Sequence, residues 1–149
     1  MVRRVRRADV SFPTPLLVLD AQPFSLLGED DPGVVARIAV ARQEGFIPAI
    51  SAVTLAEVRR TGAVGRRLVR QRAHLTVIPV TEGTADLAGL LLEDAGLDGH
   101  ECVVDALVVA SAAAGSGPAK VASSDGSHVP KLIAAAKFRR DSPIGWLPV

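Results

Sequence analysis

The chain has 149 residues, 48% of them apolar, which is enough for one substantial core and too little for two ordinary domains. Lys and Arg number 17 against 16 Asp and Glu, so the net charge of +1 excludes a global electrostatic signature of a nucleic-acid or membrane partner, and local clusters must carry that argument. A single cysteine, Cys102, excludes an intramolecular disulfide, and no apolar stretch reaches the roughly 18 residues of a spanning helix, so the chain reads as soluble and cytoplasmic with no membrane partner.

Residues 1–15 carry Arg3, Arg4, Arg6 and Arg7 and then two prolines; they read as a basic N-terminal arm without the apolar run and cleavage site of a secretory signal. Such an arm is either a solvated tail or an RNA-binding segment. The domain proper is expected over 16–149. Leu16-Leu17-Val18-Leu19 is a continuous apolar run that ends in Asp20, the pattern of a strand buried on both faces of a parallel sheet. The spacing of Val34, Val35, Ile38 and Ala41 predicts an amphipathic helix over 31–44, with Pro32 near its start and Gly45 at its end. A second strand is expected over 46–50, then a helix from Ser51 through Val58 with Glu57 near its start, where an acidic residue suits the macrodipole. Residues 75–80 predict a third strand and 81–95 a helix. The helix around 103–114 is apolar on nearly every side and should be central and buried. A fourth strand is expected over 120–123, a helix over 129–138 and an edge strand over 144–149. Strands alternating with helices at this spacing imply right-handed crossovers and an α/β domain, whose central, mainly parallel sheet of four or five strands is covered by helices on both faces.

Four carboxylates stand where an apolar core would not place them. Asp20 and Asp125 follow the ends of predicted strands, at the carboxyl edge where open parallel sheets bind ligands. Each is equally readable as a helix N-cap. Asp105 sits inside Val103-Val104-Asp105-Ala106-Leu107-Val108-Val109, where burying an unpaired carboxylate costs several kcal/mol, on the order of the desolvation of a charge, unless something compensates it; capping of a helix start is the bland alternative, weakened by the apolar residues on both sides. Glu57, taken alone, reads as a solvated helix residue. Taken together, four carboxylates converging from four elements repel one another and require a cation between them. All-oxygen ligation suits Mg²⁺ or Mn²⁺. Zinc is not expected, because Cys102 is alone and His74, His100 and His128 show no ligand spacing.

The blocks Leu17-Val18-Leu19-Asp20, Ser51-Ala52-Val53-Thr54-Leu55-Ala56-Glu57-Val58, Val104-Asp105-Ala106-Leu107-Val108-Val109-Ala110 and Val121-Ala122-Ser123-Ser124-Asp125 resemble the four acidic blocks of PIN domains. Their order and the chain length are similar to those of the toxin members of bacterial VapBC-type toxin–antitoxin pairs. The resemblance covers residues 16–149. It implies a three-layer PIN-like fold and a metal-dependent endoribonuclease, with Asp20, Glu57, Asp105 and Asp125 as its acidic site and a cognate antitoxin as partner. Ser123 matches a hydroxyl residue two places before the last aspartate. The chain departs from the pattern at Ala21, where Ser or Thr often follows the first aspartate, and at Gly126, Ser127 and His128, where further acidic residues are frequent.

In the chemistry so implied, a bound cation lowers the pKa of a water and polarises the scissile phosphate while a carboxylate orients the attack. Asp20 and Asp105 are the expected primary ligands, with Glu57 and Asp125 acting directly or through water. Glu101, four residues before Asp105 on the same helical face, either extends the site or is an exposed residue of a helix start. An acidic pocket repels RNA, so flanking cations are needed, and Arg59, Arg60, Arg66, Arg67, Arg70 and Arg72 crowd the stretch after Glu57. A solvated helix face or a docking surface for an acidic partner explains that cluster as well. The mean hydropathy of +0.30 on a small chain implies apolar surface covered by a partner or in a homodimer. Ala21 and His128 keep open a catalytically silent PIN-like module that binds RNA or protein. A phosphotransfer domain with Asp20 as nucleophile is disfavoured, since a second aspartate would be wanted where Gln22 stands.

Overall fold

The computed structural model describes residues 14–149, so Arg3, Arg4, Arg6 and Arg7 of the expected arm lie outside the described residues. Four apolar residues form β1 (Leu16–Leu19), and because successive side chains of a strand point to opposite faces, Val18 enters one core while Leu17 and Leu19 enter the other. β1 pairs in parallel with β2 (Ile47–Ser51) on one side and β4 (Ala119–Ser123) on the other. β3 (Thr76–Ile78) and β5 (Ile144–Pro148) complete an all-parallel sheet in the order β3-β2-β1-β4-β5. Chain order thus runs outward from β1 through β2 to β3, then reverses to β4 on the far side.

Helices cover both faces, giving the expected three layers. On one face lie α1 (Ala21–Gly28), α2 (Pro32–Gln43) and α4 (Gly62–Arg72), which bury Phe24, Leu27, Val34, Ile38 and Leu68 against Leu17, Leu19 and Ile50. On the other lie α5 (Glu82–Ala95), α6 (Gly99–Ala113) and α7 (Val129–Lys137), whose Leu91, Val109 and Leu132 pack with Val18 and Val121. The short α3 (Ala52–Glu57) follows β2 directly and is capped by the Ser51 hydroxyl, which accepts the Val53 N–H at 3.3 Å.

Four details differ from the sequence expectation. α1 and α4 are additional helices. α1 is only two turns long and starts from an Asp20 cap, with Pro23 tolerated in the first turn because its missing N–H would be unpaired there anyway. Gly28 ends α1 against α4 so closely that an added Cβ would lie 2.7 Å from Leu68 Cγ. α6 starts at Gly99, four residues before the expected position, because the Asp98 carboxylate accepts the N–H groups of His100 at 2.7 Å and Glu101 at 3.4 Å. α3 ends at Glu57, since Val58 is already extended. Glu57 therefore stands at the negative end of a short helix dipole, not near its favourable start.

Candidate active site

The strand order reverses between β1 and β4, and in open parallel sheets the carboxyl ends at such a reversal form the crevice where ligands bind. Asp20 leaves β1 into this crevice and is 8% exposed. It is also the N-cap of α1: one carboxylate oxygen accepts the Ala21 N–H at 2.8 Å. Its other oxygen accepts the Ser123 hydroxyl, also at 2.8 Å. Ser123, fully buried at the end of β4, accepts the Asp125 N–H on the same oxygen at 3.0 Å. One buried hydroxyl thereby ties the first acidic loop to the last.

Asp125 is not the cap of the helix after it; His128 holds that position. Its Oδ1 instead accepts the N–H groups of Ser127 at 2.8 Å and His128 at 2.9 Å, folding the loop back towards the crevice. Burial acts to raise its pKa, but those two backbone donors and the His128 imidazole outweigh it and hold the carboxyl below its ordinary value. Asp105 lies in the interior of α6, whose cap is Asp98, so a capping role for Asp105 is excluded. Burial first, then the charges of Asp20 and Asp125 and more weakly Glu57, push its carboxyl from 3.8 up to about 6, against an opposing pull from His128. Glu57 is raised as well, by burial and then by Asp20. The four acids thus share one electrostatic environment although they come from four segments of the chain.

That environment holds more negative charge than the protein itself neutralises, which is what a cation would relieve. Four carboxylates with an ordering hydroxyl are the oxygen donors that a hard divalent ion takes, but among the described residues only Asp105 of the four belongs to a group whose ligating atoms all lie within 4.8 Å of one another. Glu101 is exposed in the first turn of α6, where its charge suits the helix dipole. Of the six arginines in the stretch after Glu57, Arg60 and Arg67 are committed to the scaffold. Arg60 donates to the Ser25 hydroxyl at 2.8 Å and lies 3.7 Å from Glu29, while Arg67 donates to the Gly28 carbonyl at 2.6 Å and lies 3.6 Å from Asp30. Arg59 and Arg66 are exposed.

His128 is the site residue that the linear pattern did not supply. Its Nδ1 is 3.2 Å from Asp125 Oδ2 and 3.7 Å from Asp105 Oδ2, so the imidazole bridges two of the four acids. In the sequence His128 stood out as a departure from the acidic pattern after Asp125, three residues on and within reach of the same turn, but not as a partner of Asp105.

No protein-family model and no curated protein matches the sequence. Solved structures do match. A chain of VapBC2 from Rickettsia felis, crystallised bound to a DNA fragment from their promoter, superposes with a TM-score of 0.61 at 16% identity, over 89% of this chain and 98% of that one. The fold is PIN-like. A chain of VapBC-5 from Mycobacterium tuberculosis, a member of the VapBC family of toxin–antitoxin systems, superposes with a TM-score of 0.50 at 21% identity, over 91% of this chain and 100% of that one. The PIN-like chain therefore spans these matched chains over nearly their whole length. Among its described residues no helix is long and apolar enough to cross a membrane.

Proposed function

We propose that residues 16–149 form a Mg²⁺- or Mn²⁺-dependent endoribonuclease that acts as the toxin of a toxin–antitoxin pair, residues 1–15 being an appended basic arm. The observation that carries this reading is Asp105, a carboxylate inside an otherwise apolar helix, raised to about 6 in a crevice shared with Asp20, Asp125 and Glu57. Burial raises the carboxyl first, and the neighbouring charges of Asp20, Asp125 and Glu57 raise it further, a repulsion that a bound cation would relieve.

In this reading Asp20 and Asp105 hold the ion, and Glu57 and Asp125 contact it directly or through water. The ion, when bound, supplies a water of lowered pKa and positive charge against the scissile phosphate. Ser123 fixes the Asp20 carboxylate by its hydrogen bond, leaving the ligand pre-oriented. Arg59, just after α3, and Arg66, on α4, are exposed and supply sequence-independent phosphate contacts, whereas Arg60, just before α4, and Arg67, on it, tie to α1 and the loop after it.

An antitoxin would dock at a groove of about 260 Å³ between α1, α3 and α4. Phe24, Leu55 and Leu68 give it an apolar floor, and Arg59, Arg60 and Arg72 rim it, which suits a segment carrying apolar and acidic side chains. Homodimerisation and a cytoplasmic location belong to the same proposal. Both structural matches come from VapBC systems, which supports the partner assignment by analogy of fold.

One observation favours a second reading, a silent module that keeps the fold without turnover: the His128 imidazole already counters Asp105 and Asp125. Cleavage of a mixed single-stranded RNA in Mn²⁺, abolished by EDTA and by Asp20→Asn, supports the nuclease. RNA binding with no cleavage at any Mg²⁺ or Mn²⁺ concentration supports the silent module, and cleavage unchanged in excess EDTA refutes the metal mechanism.

A further inference from the structure

Among the described residues one compact group of metal-ligating atoms stands beside the four acids and has a different chemistry. The Cys102 sulfur, a carboxylate oxygen of Asp105 and a ring nitrogen of His128 lie within 4.8 Å of one another. Cys102 and Asp105 are three residues apart on one face of α6, and His128 caps α7 opposite them, so two packed helices supply the three ligands. Three atoms at that separation lie at most about 2.8 Å from a common centre, less than about 1 Å outside the roughly 2.0–2.3 Å of zinc ligation, a gap for the partly exposed His128 and Asp105 side chains to close.

We infer that Cys102, Asp105 and His128 form a second, softer metal site, of the thiolate–imidazole–carboxylate kind that takes Zn²⁺ or Co²⁺ with water in the fourth position. The donor set decides the class of ion: thiolate and imidazole select zinc-like metals, while Mg²⁺ and Mn²⁺ take oxygen. The thiol is 1% exposed, and burial, with the charge of Asp105 next, keeps it protonated without a metal. Metal binding therefore releases the thiol proton to solvent as the sulfur–metal bond forms. Asp105 belongs to both sites, so a zinc-like ion draws Asp105 and His128 towards Cys102 and withdraws a ligand from the four-carboxylate set. Occupancy of the softer site antagonises occupancy of the harder one. The site stands on its own ligands, whether or not the chain cleaves RNA.

The test uses the full chain, stripped of metal and held under reducing, oxygen-free conditions, titrated with Co²⁺ alone. A near-ultraviolet thiolate-to-cobalt charge-transfer band that saturates at one equivalent is expected, with Zn²⁺ displacing it and excess Mg²⁺ leaving it in place. Cys102→Ser should abolish the band, and His128→Ala, which leaves the helix core intact, should weaken Co²⁺ binding by about tenfold or more. The exposed His100→Ala should change neither. Absence of the band at saturating Co²⁺, its persistence in Cys102→Ser, or unaltered Co²⁺ affinity in His128→Ala overturns the assignment.

Discussion

Asp105→Asn probes the crevice through stability as well as activity. The parent carboxyl is raised from 3.8 to about 6, and every tenfold change in proton affinity corresponds to about 1.4 kcal/mol of differential interaction. The side chain is 23% exposed, so solvent screens part of that energy, and the burial penalty and repulsion relieved by the amide come to about 1–3 kcal/mol. Between pH 3.8 and about 6 the folded protein holds a proton that the unfolded chain has lost, so this group lowers stability as pH rises through that window. The penalty is complete above the window and absent below it. In EDTA at pH 8 the variant should therefore be more stable than the parent by about 1–3 kcal/mol, or about 2–12 °C in Tm for a chain of this length. The two should converge near pH 4. Mn²⁺ should raise the parent's Tm and the variant's much less, because a ligand has gone. Circular-dichroism melts of both proteins at both pH values, with and without Mn²⁺, give the eight melting temperatures needed. A variant no more stable than the parent at pH 8 in EDTA, with the same Mn²⁺ response, refutes the electrostatic argument and the placement of Asp105 at the metal.

Three further outcomes follow from contacts around the crevice. Ser123→Ala removes the donor to Asp20 and the acceptor of the Asp125 N–H, so it should cost about 1–3 kcal/mol in urea unfolding and weaken Mn²⁺ binding by about 10–100-fold in calorimetry. Gly28→Ala drives a methyl group to 2.7 Å from Leu68 Cγ and 2.9 Å from Val64 Cγ1, and should destabilise by about 1–3 kcal/mol, read as a lower urea midpoint at unchanged slope. The double change Arg59→Ala with Arg66→Ala should weaken RNA binding and flatten its salt dependence by up to about two units of slope, with melting unaltered; an unchanged slope removes both residues from the RNA surface.

Much of this architecture was legible because its determinants are local and strong. β1 is a short uninterrupted apolar run, β4 carries its apolar residues between a lysine and a serine, and α5 and α7 carry clear helical spacing between recognisable ends, so each lies within a residue or two of the position read from sequence. The parallel sheet followed from the alternation of strands and helices. α1 and α4 escaped for opposite reasons. α1 is too short for its spacing to stand out, with Pro23 and Gln22 in its first turn; α4 buries only Leu68 and is otherwise a run of arginines and small residues held by tertiary contacts.

At the crevice the acids announced themselves by chemical incongruity, Asp105 most of all, because nothing in an apolar helix explains it. Long-range pairing did not. The Ser123–Asp20 hydrogen bond spans 103 residues, and the approach of His128 to Asp105 and Cys102 depends on how α7 packs against α6. Spacing within the sequence gave Cys102 and His128 no reason to be considered together, and the expectation that zinc-type ligands are scattered did not anticipate their meeting.

The central claim, that these carboxylates hold a divalent cation, is tested most directly by anomalous scattering from crystals of the full chain grown or soaked in Mn²⁺. The account predicts a manganese peak in the crevice between β1 and β4, coordinated by Asp20 and Asp105, with Glu57 or Asp125 in direct or water-mediated contact. Saturating Mn²⁺ that leaves the crevice without a peak, or a peak ligated by none of these four residues, contradicts it.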